Sequence, residues 1–232
     1  GTSGIGFAIA DAFLRAGIEK VIITGRSEDK LKHASEKLIA NSTERKDRVL
    51  YECMDMKNVD TFQEHFNRIR VKANGNICIL VNNAGVLGAT FGWAEEEEYD
   101  SVLDTNLKGA FFLSQIVARY MKDQNIEGNI LNICSSSSIR PANSAYHLTK
   151  WGMRGLTLGM AKQLIPYGIV VNGLAPGPTA TSMLINDVEK EGIHHNNNPA
   201  QRYALPEEIG NMAVILTSGL GRMIVGDIIY IT

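Results

Sequence analysis

The strongest constraint on this chain is an alternation that runs along its whole length. Short apolar runs take turns with longer segments of helical period. Residues 5–16 place Ile5, Ala8, Ile9, Ala12 and Phe13 on one helix face and stop at Gly17. Val21-Ile22-Ile23 then reads as a buried strand ending at Thr24-Gly25, and residues 28–40 as an amphipathic helix. The alternation continues with a strand over 49–53, a helix over 58–73, a strand over 77–81 and a long helical stretch over 95–122. A strand over 129–134, a helix over 144–164, a strand over 169–174, a helix over 206–217 and a strand over 227–231 complete it. Strands apolar on both faces need covering on both faces. The expected class is therefore α/β, a doubly wound parallel sheet with helices on both faces. The pattern predicts a single domain spanning 1–232. Its one irregular stretch, about 178–205, is too long for a simple connection and reads as a lid, with Met183, Leu184, Ile185, Ile193, Tyr203 and Leu205 as apolar contacts.

Charge narrows the function classes. Lys and Arg total 23 against 25 Asp and Glu, and a net charge of -2 gives no reason to expect nucleic acid. Two windows, 73–94 and 163–186, hold no charged residue, but Asn and Gly in the first and Pro166, Pro176 and Pro178 in the second argue against membrane spans. They fit buried strands and the loops of a cleft. Cys53, Cys78 and Cys134 each sit in an apolar run without ligand or disulfide spacing, so they are expected as reduced core thiols in a reducing, cytoplasmic setting. No spacing supports a metal site, and Glu95 to Glu98 reads as a solvated first helical turn.

Sheets of this kind bind ligands beyond the carboxyl ends of their strands. Here those ends carry small polar residues: Thr24-Gly25, Asn82-Asn83, Ser135 and Pro176-Gly177. Gly4 and Gly6 open a helix, where backbone N–H groups can cradle a pyrophosphate. Tyr146 and Lys150 stand at i, i+4 on one helix face. An ammonium beside a phenol favours phenolate and would bring the tyrosine pKa toward neutrality, suiting it to proton transfer with a carbonyl or an alcohol. Ser135 lies 11 residues upstream at a strand end and can hold a substrate oxygen beside that phenol; Ser136 is the alternative in the same serine run.

Together these residues resemble the short-chain dehydrogenases/reductases. Gly1 to Gly6 is similar to the tail of the TGxxxGxG loop of that family, Asn82-Asn83-Ala84-Gly85 to its NNAG motif, and Asn172 with Pro176-Gly177 and Thr181 to its N…PGxxxT segment. Asn106, Ser135, Tyr146 and Lys150 match its catalytic tetrad, although the Ser135 to Tyr146 gap is shorter than usual. The resemblance implies a Rossmann fold and a hydride transfer between NADP(H) and a carbonyl or secondary alcohol. Tyr146 would be the general acid/base, Lys150 would tune it and hold the nicotinamide ribose, Ser135 would polarise the carbonyl, and Asn106 would hold a water. Cofactor contacts are implied for Gly1, Ser3, Gly4, Ile5, Gly6, Asp55, Met56, Asn83, Ala84, Gly85, Tyr146, Lys150, Pro176, Gly177, Thr179 and Thr181. Gly25 offers no carboxylate to a ribose 2′-OH and Arg26 follows it, which puts NADP ahead of NAD.

The substrate is expected to be a small carbonyl or alcohol compound, with a 3-oxoacyl carrier-protein reductase one plausible relative. The alternative from another class is a catalytically silent NAD(P)-binding regulator or scaffold, against which the complete tetrad argues. Enoyl reduction usually needs a wider Tyr–Lys spacing. The resemblance also implies a homodimer or homotetramer through the helices at 95–122 and 144–164. Finally, a doubly wound sheet has its first strand in the middle, yet no strand pattern precedes Gly1. The expectation is that 232 is a trimmed count, short by about one strand at the start and a few residues at the end. Another segment filling the central slot would overturn it.

Overall fold

The computed structural model describes residues 1–41, 46–184, 192–196 and 198–232. Six strands are described: β1 (Val21–Gly25), β2 (Val49–Cys53), β3 (Ile79–Asn82), β4 (Asn129–Ile133), β5 (Val170–Pro176) and β6 (Ile228–Ile231). They alternate with α1 (Gly4–Arg15), α2 (Glu28–Ala40), α3 (Phe62–Ala73), α4 (Glu96–Leu103), α5 (Gly109–Asp123), α6 (Ala145–Leu164) and α7 (Pro206–Thr217). Every described strand pair is parallel. The order is β1-β2 in one sheet and β3-β4-β5-β6 in another. Among the described residues no strand pairs the β1 edge to the β3 edge, and Val21, Ile22, Ile79 and Leu80 line the open cleft between the sheets.

Side-chain alternation along β4 sets the layers. Ile130 joins Phe66, Val117, Met121 and Val171 under α3, α5 and α6. Leu131 and Ile133 face the other way and join Ile9, Phe13, Leu174 and Leu216 beneath α1 and α7. A third cluster packs Leu14 and Ala10 with Leu31, Leu38 and Val49 around β1 and β2. Asn132 shares the Ile130 face and is fully buried, so it needs partners. It pairs in register with Asn82. Asn82 Nδ2 donates to Asn132 Oδ1 at 2.8 Å and to Ser114 Oγ of α5 at 2.8 Å. Asn132 Nδ2 donates to Thr157 Oγ1 of α6 at 2.9 Å. This buried ladder fixes α5 and α6 against the strand ends that carry the site.

Three sequence expectations change. The third strand runs over Ile79–Asn82 rather than 77–81, because its partner β4 begins at Asn129, opposite Ile79. The helical stretch at 95–122 is interrupted by a π-helical turn over Asp104–Lys108, which contains Asn106. The three cysteines are not all core thiols: Cys134 is buried, while Cys53 and Cys78 are exposed. Cys53 closes β2 at a sheet end, and Cys78 lies at the open cleft before β3 begins. The 178–205 stretch is pinned at both ends by a Thr179–Ala204 bridge and crossed by a His194–Arg202 bridge. Ile185 and its neighbours through 191, and residue 197, lie outside the described residues.

Candidate active site

A cleft of about 1230 Å³ runs along the gap between β1 and β3 and opens across the carboxyl ends of the strands. All of the predicted site residues line it. At one end the glycine loop opens α1. Gly4 has φ +55 and faces Thr181, while a Cβ on Gly6 would stand 2.6 Å from Asn83 Nδ2. The loop and the Asn83-Ala84-Gly85 segment therefore meet without room for side chains, leaving backbone N–H groups at a helix start as the cradle. Gly1, Ser3 and Ile5 lie in the same wall, and Gly1 N donates to Thr24 O at 2.7 Å. Asp55 and Met56 follow β2 and form the far wall, where Asp55 Oδ1 accepts from Lys57 N at 3.0 Å. Gly109 lets α5 approach the Met56 carbonyl closely.

At the end of β1, Arg26 and Lys30 both line the cleft. The Ser27 side chain caps α2 by accepting from Lys30 N at 3.4 Å. Lys30 went unnoticed in sequence because a lysine in an amphipathic helix carries no signal of its own. Only the cap turns its first-turn position toward the cleft.

The catalytic end is built by β4 and α6. Ser144 caps α6 by accepting from His147 N, placing Tyr146 in the first turn. Hydrogen bonds from Ala145 N to Ala89 O and from Phe91 N to Asn143 O tie that turn to the loop after β3. Lys150 is buried, and its Nζ donates to Ile133 O at 2.8 Å, the last residue of β4. Ser135 follows after Cys134, accepts from Ser137 N at 3.1 Å and lies near enough to the Tyr146 phenol to favour its ionised form. Of the serine run, Ser135 is the member that acts on the phenol's ionisation. The 11-residue gap suffices because a short 3-10 turn, Ser136–Ile139, bends the chain back.

Two expected roles are altered by this geometry. Burial pushes the Tyr146 phenol above its ordinary pKa, opposed by the nearby Ser135 hydroxyl, and Lys150 is not among the causes. The ammonium lies 5.7 Å from the phenol ring centre, is committed to the Ile133 carbonyl, and is itself pushed down by burial. The side chain of Asn106 is likewise engaged. Its Oδ1 accepts from Val86 N at 2.8 Å, and its Nδ2 donates to Val86 O at 2.9 Å and Thr149 Oγ1 at 3.2 Å. It clamps the loop after β3 beneath the site rather than presenting a free amide to a water. Sequence reasoning missed Thr149 because the fold alone brings it to Asn106.

Pro176, Gly177, Thr179 and Thr181 close the cleft opposite, with Thr179 Oγ1 donating to Gly177 O at 3.0 Å. Asn172 does not line the cleft. It is buried on the α1 and α7 side, donates to Ile224 O at 2.6 Å and accepts from Asp227 N at 3.1 Å, holding the entry to β6. Among the described residues no group of His, Cys, Asp and Glu side chains forms a metal site, and no helix is long and apolar enough to cross a membrane.

The cleft thus joins a glycine cradle suited to a dinucleotide with a Ser–Tyr–Lys cluster. Comparison with known proteins places the chain. A family model described as short chain dehydrogenase matches residues 1–192. Gluconate 5-dehydrogenase of Gluconobacter oxydans is 32% identical, with 98% of this chain and 89% of that protein covered. The 3-oxoacyl-[acyl-carrier-protein] reductase FabG of Aquifex aeolicus is 34% identical, with 99% and 92% covered. The solved 3-ketoacyl-(acyl-carrier-protein) reductase of Brucella melitensis, complexed with NADH, superposes with a TM-score of 0.83 at 25% identity, covering 99% of this chain and 93% of that one. The chain belongs to the short-chain dehydrogenase/reductase family of NAD(P)-dependent oxidoreductases acting on CH–OH and C=O groups.

Proposed function

We propose that the protein is an NADP(H)-dependent ketone reductase, acting reversibly on a secondary alcohol, with Tyr146 as the general acid/base. The observation that carries this reading is the meeting of Ser135, Tyr146 and Lys150 at the carboxyl end of β4, in the same cleft as the glycine cradle. The bound nicotinamide supplies the hydride to the carbonyl carbon. Ser135 Oγ and the Tyr146 hydroxyl hold the carbonyl oxygen, and as charge develops there the phenol gives up its proton to it. Lys150, held by the Ile133 carbonyl, forms the base of the site, and Asn106 holds Val86 and the floor in place. The raised pKa of Tyr146 favours its protonated form, the one needed for reduction.

Preference for NADP rests on Arg26 and Lys30 at the end of β1, where Gly25 provides no carboxylate. An arginine fork with a neighbouring ammonium suits a 2′-phosphate. The relatives named for 3-oxoacyl and gluconate chemistry support a ketone next to polar or thioester groups as substrate. Exposed Phe111, Phe112, Trp151 and Leu158 on α5 and α6, with open space above Gly155 and Gly159, support self-association into a homodimer or homotetramer. Cytoplasmic residence fits the absence of disulfides among the described cysteines. The test is consumption of NADPH and NADH across a carbonyl panel by the wild-type protein and Arg26→Glu. The reading predicts turnover with NADPH and a much larger loss for NADPH than for NADH in the variant. Equal losses for both cofactors would remove the NADP assignment.

A further inference from the structure

The cleft is lined by six charged side chains among the described residues: Lys20, Arg26, Lys30, Asp55, Arg140 and Lys150. Lys20 is committed to the Ala73 carbonyl at 2.6 Å, and Lys150 to Ile133. Arg26, Lys30 and Asp55 belong to the nucleotide end. Arg140 is left at the catalytic end, and its guanidinium has no hydrogen-bond or ion-pair partner among the described residues.

The Arg140 backbone is held firmly. Its N–H donates to Ser137 O at 3.2 Å, and its carbonyl accepts from Trp151 Nε1 at 2.8 Å. Trp151 lies one turn beyond His147 on α6, so this bond seats Arg140 over the helix face that carries His147. His147 also lines the cleft. Its Nδ1 is held by Asn143 Oδ1 at 2.8 Å and by Ser144 Oγ at 3.2 Å, leaving Nε2 without a partner among the described residues. No carboxylate lines this end of the cleft among the described residues. An exposed guanidinium with no partner among the described residues, carried on an anchored backbone five residues from Ser135 and lining the same end of the cleft as an imidazole with a free nitrogen, is a receptor for anionic oxygens.

We propose that Arg140 is the specificity-determining residue for a substrate that carries a carboxylate or phosphate group in addition to the reacting carbonyl. This deepens the ketone-reductase reading and rests on it. Arg140 does not touch the reacting atoms. It anchors the far end of the substrate, so that binding energy from the anion positions the carbonyl against Ser135 and Tyr146.

The test pairs oxo acids of increasing chain length with their methyl esters and with phosphate-ended analogues. The wild-type protein, Arg140→Gln and Arg140→Lys are compared. Wild type is expected to favour an anionic ketone over its ester in kcat/KM by about 10- to 100-fold, the worth of a charge-assisted hydrogen bond. Arg140→Gln should raise KM for the anionic ketone by a similar factor and leave the ester within about 2-fold, and Arg140→Lys should restore part of the loss. Preference for carboxylate over phosphate, or the reverse, identifies the anion. No preference for either anion in wild type, or equal losses for acid and ester in Arg140→Gln, overturns the proposal.

A second measurement is independent of turnover. Calorimetric titration of the oxo acids into protein saturated with NADP+ gives a complex that cannot react. Binding that is lost in Arg140→Gln supports the subsite even if no ketone is reduced, an outcome that would sink the reductase reading alone. Absent binding, or binding unchanged in Arg140→Gln, overturns the subsite. Matching thermal midpoints for the variants exclude misfolding as the cause.

Discussion

Glu52 lies on β2 with 5% of its side chain exposed, a position where an unpaired carboxylate would be costly. Three residues of α3 face it. Oε1 accepts from Arg68 Nε at 2.7 Å and meets His65 Nδ1 at 2.8 Å, and Oε2 accepts from Lys72 Nζ at 2.7 Å. Burial alone pushes the Glu52 carboxyl up, but the bonds from Lys72, His65 and Arg68 together bring its pKa down to about 2 from an ordinary 4.5. At about 1.4 kcal/mol per pH unit this corresponds to about 3 kcal/mol of stability near neutrality. Arg68 and Lys72 are 42% and 41% exposed, so solvent screening reduces the figure to about 2 kcal/mol. A carboxylate depressed on folding stabilises above its unfolded pKa. Its contribution is whole above about pH 4.5 and is lost as pH falls toward 2. Glu52→Gln should therefore lower stability at pH 7 by about 2 kcal/mol, or about 4–8 °C in Tm. Urea unfolding of both proteins from pH 7 to pH 3 should show the difference shrinking by about half or more at the acid end. A variant within about 0.5 kcal/mol of wild type at pH 7, or a deficit that stays constant down to pH 3, would refute the reasoning.

Two further outcomes follow from the packing. Gly6→Ala places a methyl group against Asn83 Nδ2 and Gly1 Cα, so it should cost about 1–3 kcal/mol in dinucleotide binding through displacement of the loop, seen as a raised Kd in fluorescence titration, with unchanged binding contradicting it. Hydrogen exchange should protect β4 and β5, paired on both sides, well beyond the outer strands β2 and β6, each paired on one side; equal protection would contradict the strand order.

Much of the fold was legible because the apolar runs and helical faces are strongly periodic. Ile9 and Phe13 on α1, and Ile130 and Leu131 on β4, pack where their spacing places them. Boundaries were less so. Ile77 and Cys78 read as strand from composition, but a strand needs a partner, and β4 offers none before Asn129. The same limit applies to the cysteines, since an apolar neighbourhood in sequence does not fix which residue ends at an edge. At the site, the side chains that motif order singles out line one cleft, while their interactions escaped it. The i, i+4 spacing of Tyr146 and Lys150 predicts coupling, yet depth of burial and the free carbonyl at the end of β4 decide where the ammonium bonds. Asn106 matched a motif, but its engagement with Val86 and Thr149 is visible only once the π-helical turn and α6 are placed together. Asn172 stood in a motif too, and strand alternation sends it to the opposite face of the sheet.

The proposal that Tyr146 transfers the proton is tested most directly by Tyr146→Phe, which keeps the ring and removes the hydroxyl beside Ser135. Steady-state oxidation of NADPH with a turned-over ketone, alongside NADPH binding by fluorescence, separates chemistry from affinity. The account predicts a fall in kcat of about 100- to 10,000-fold with binding nearly unchanged. A variant that turns over at the wild-type rate would contradict it.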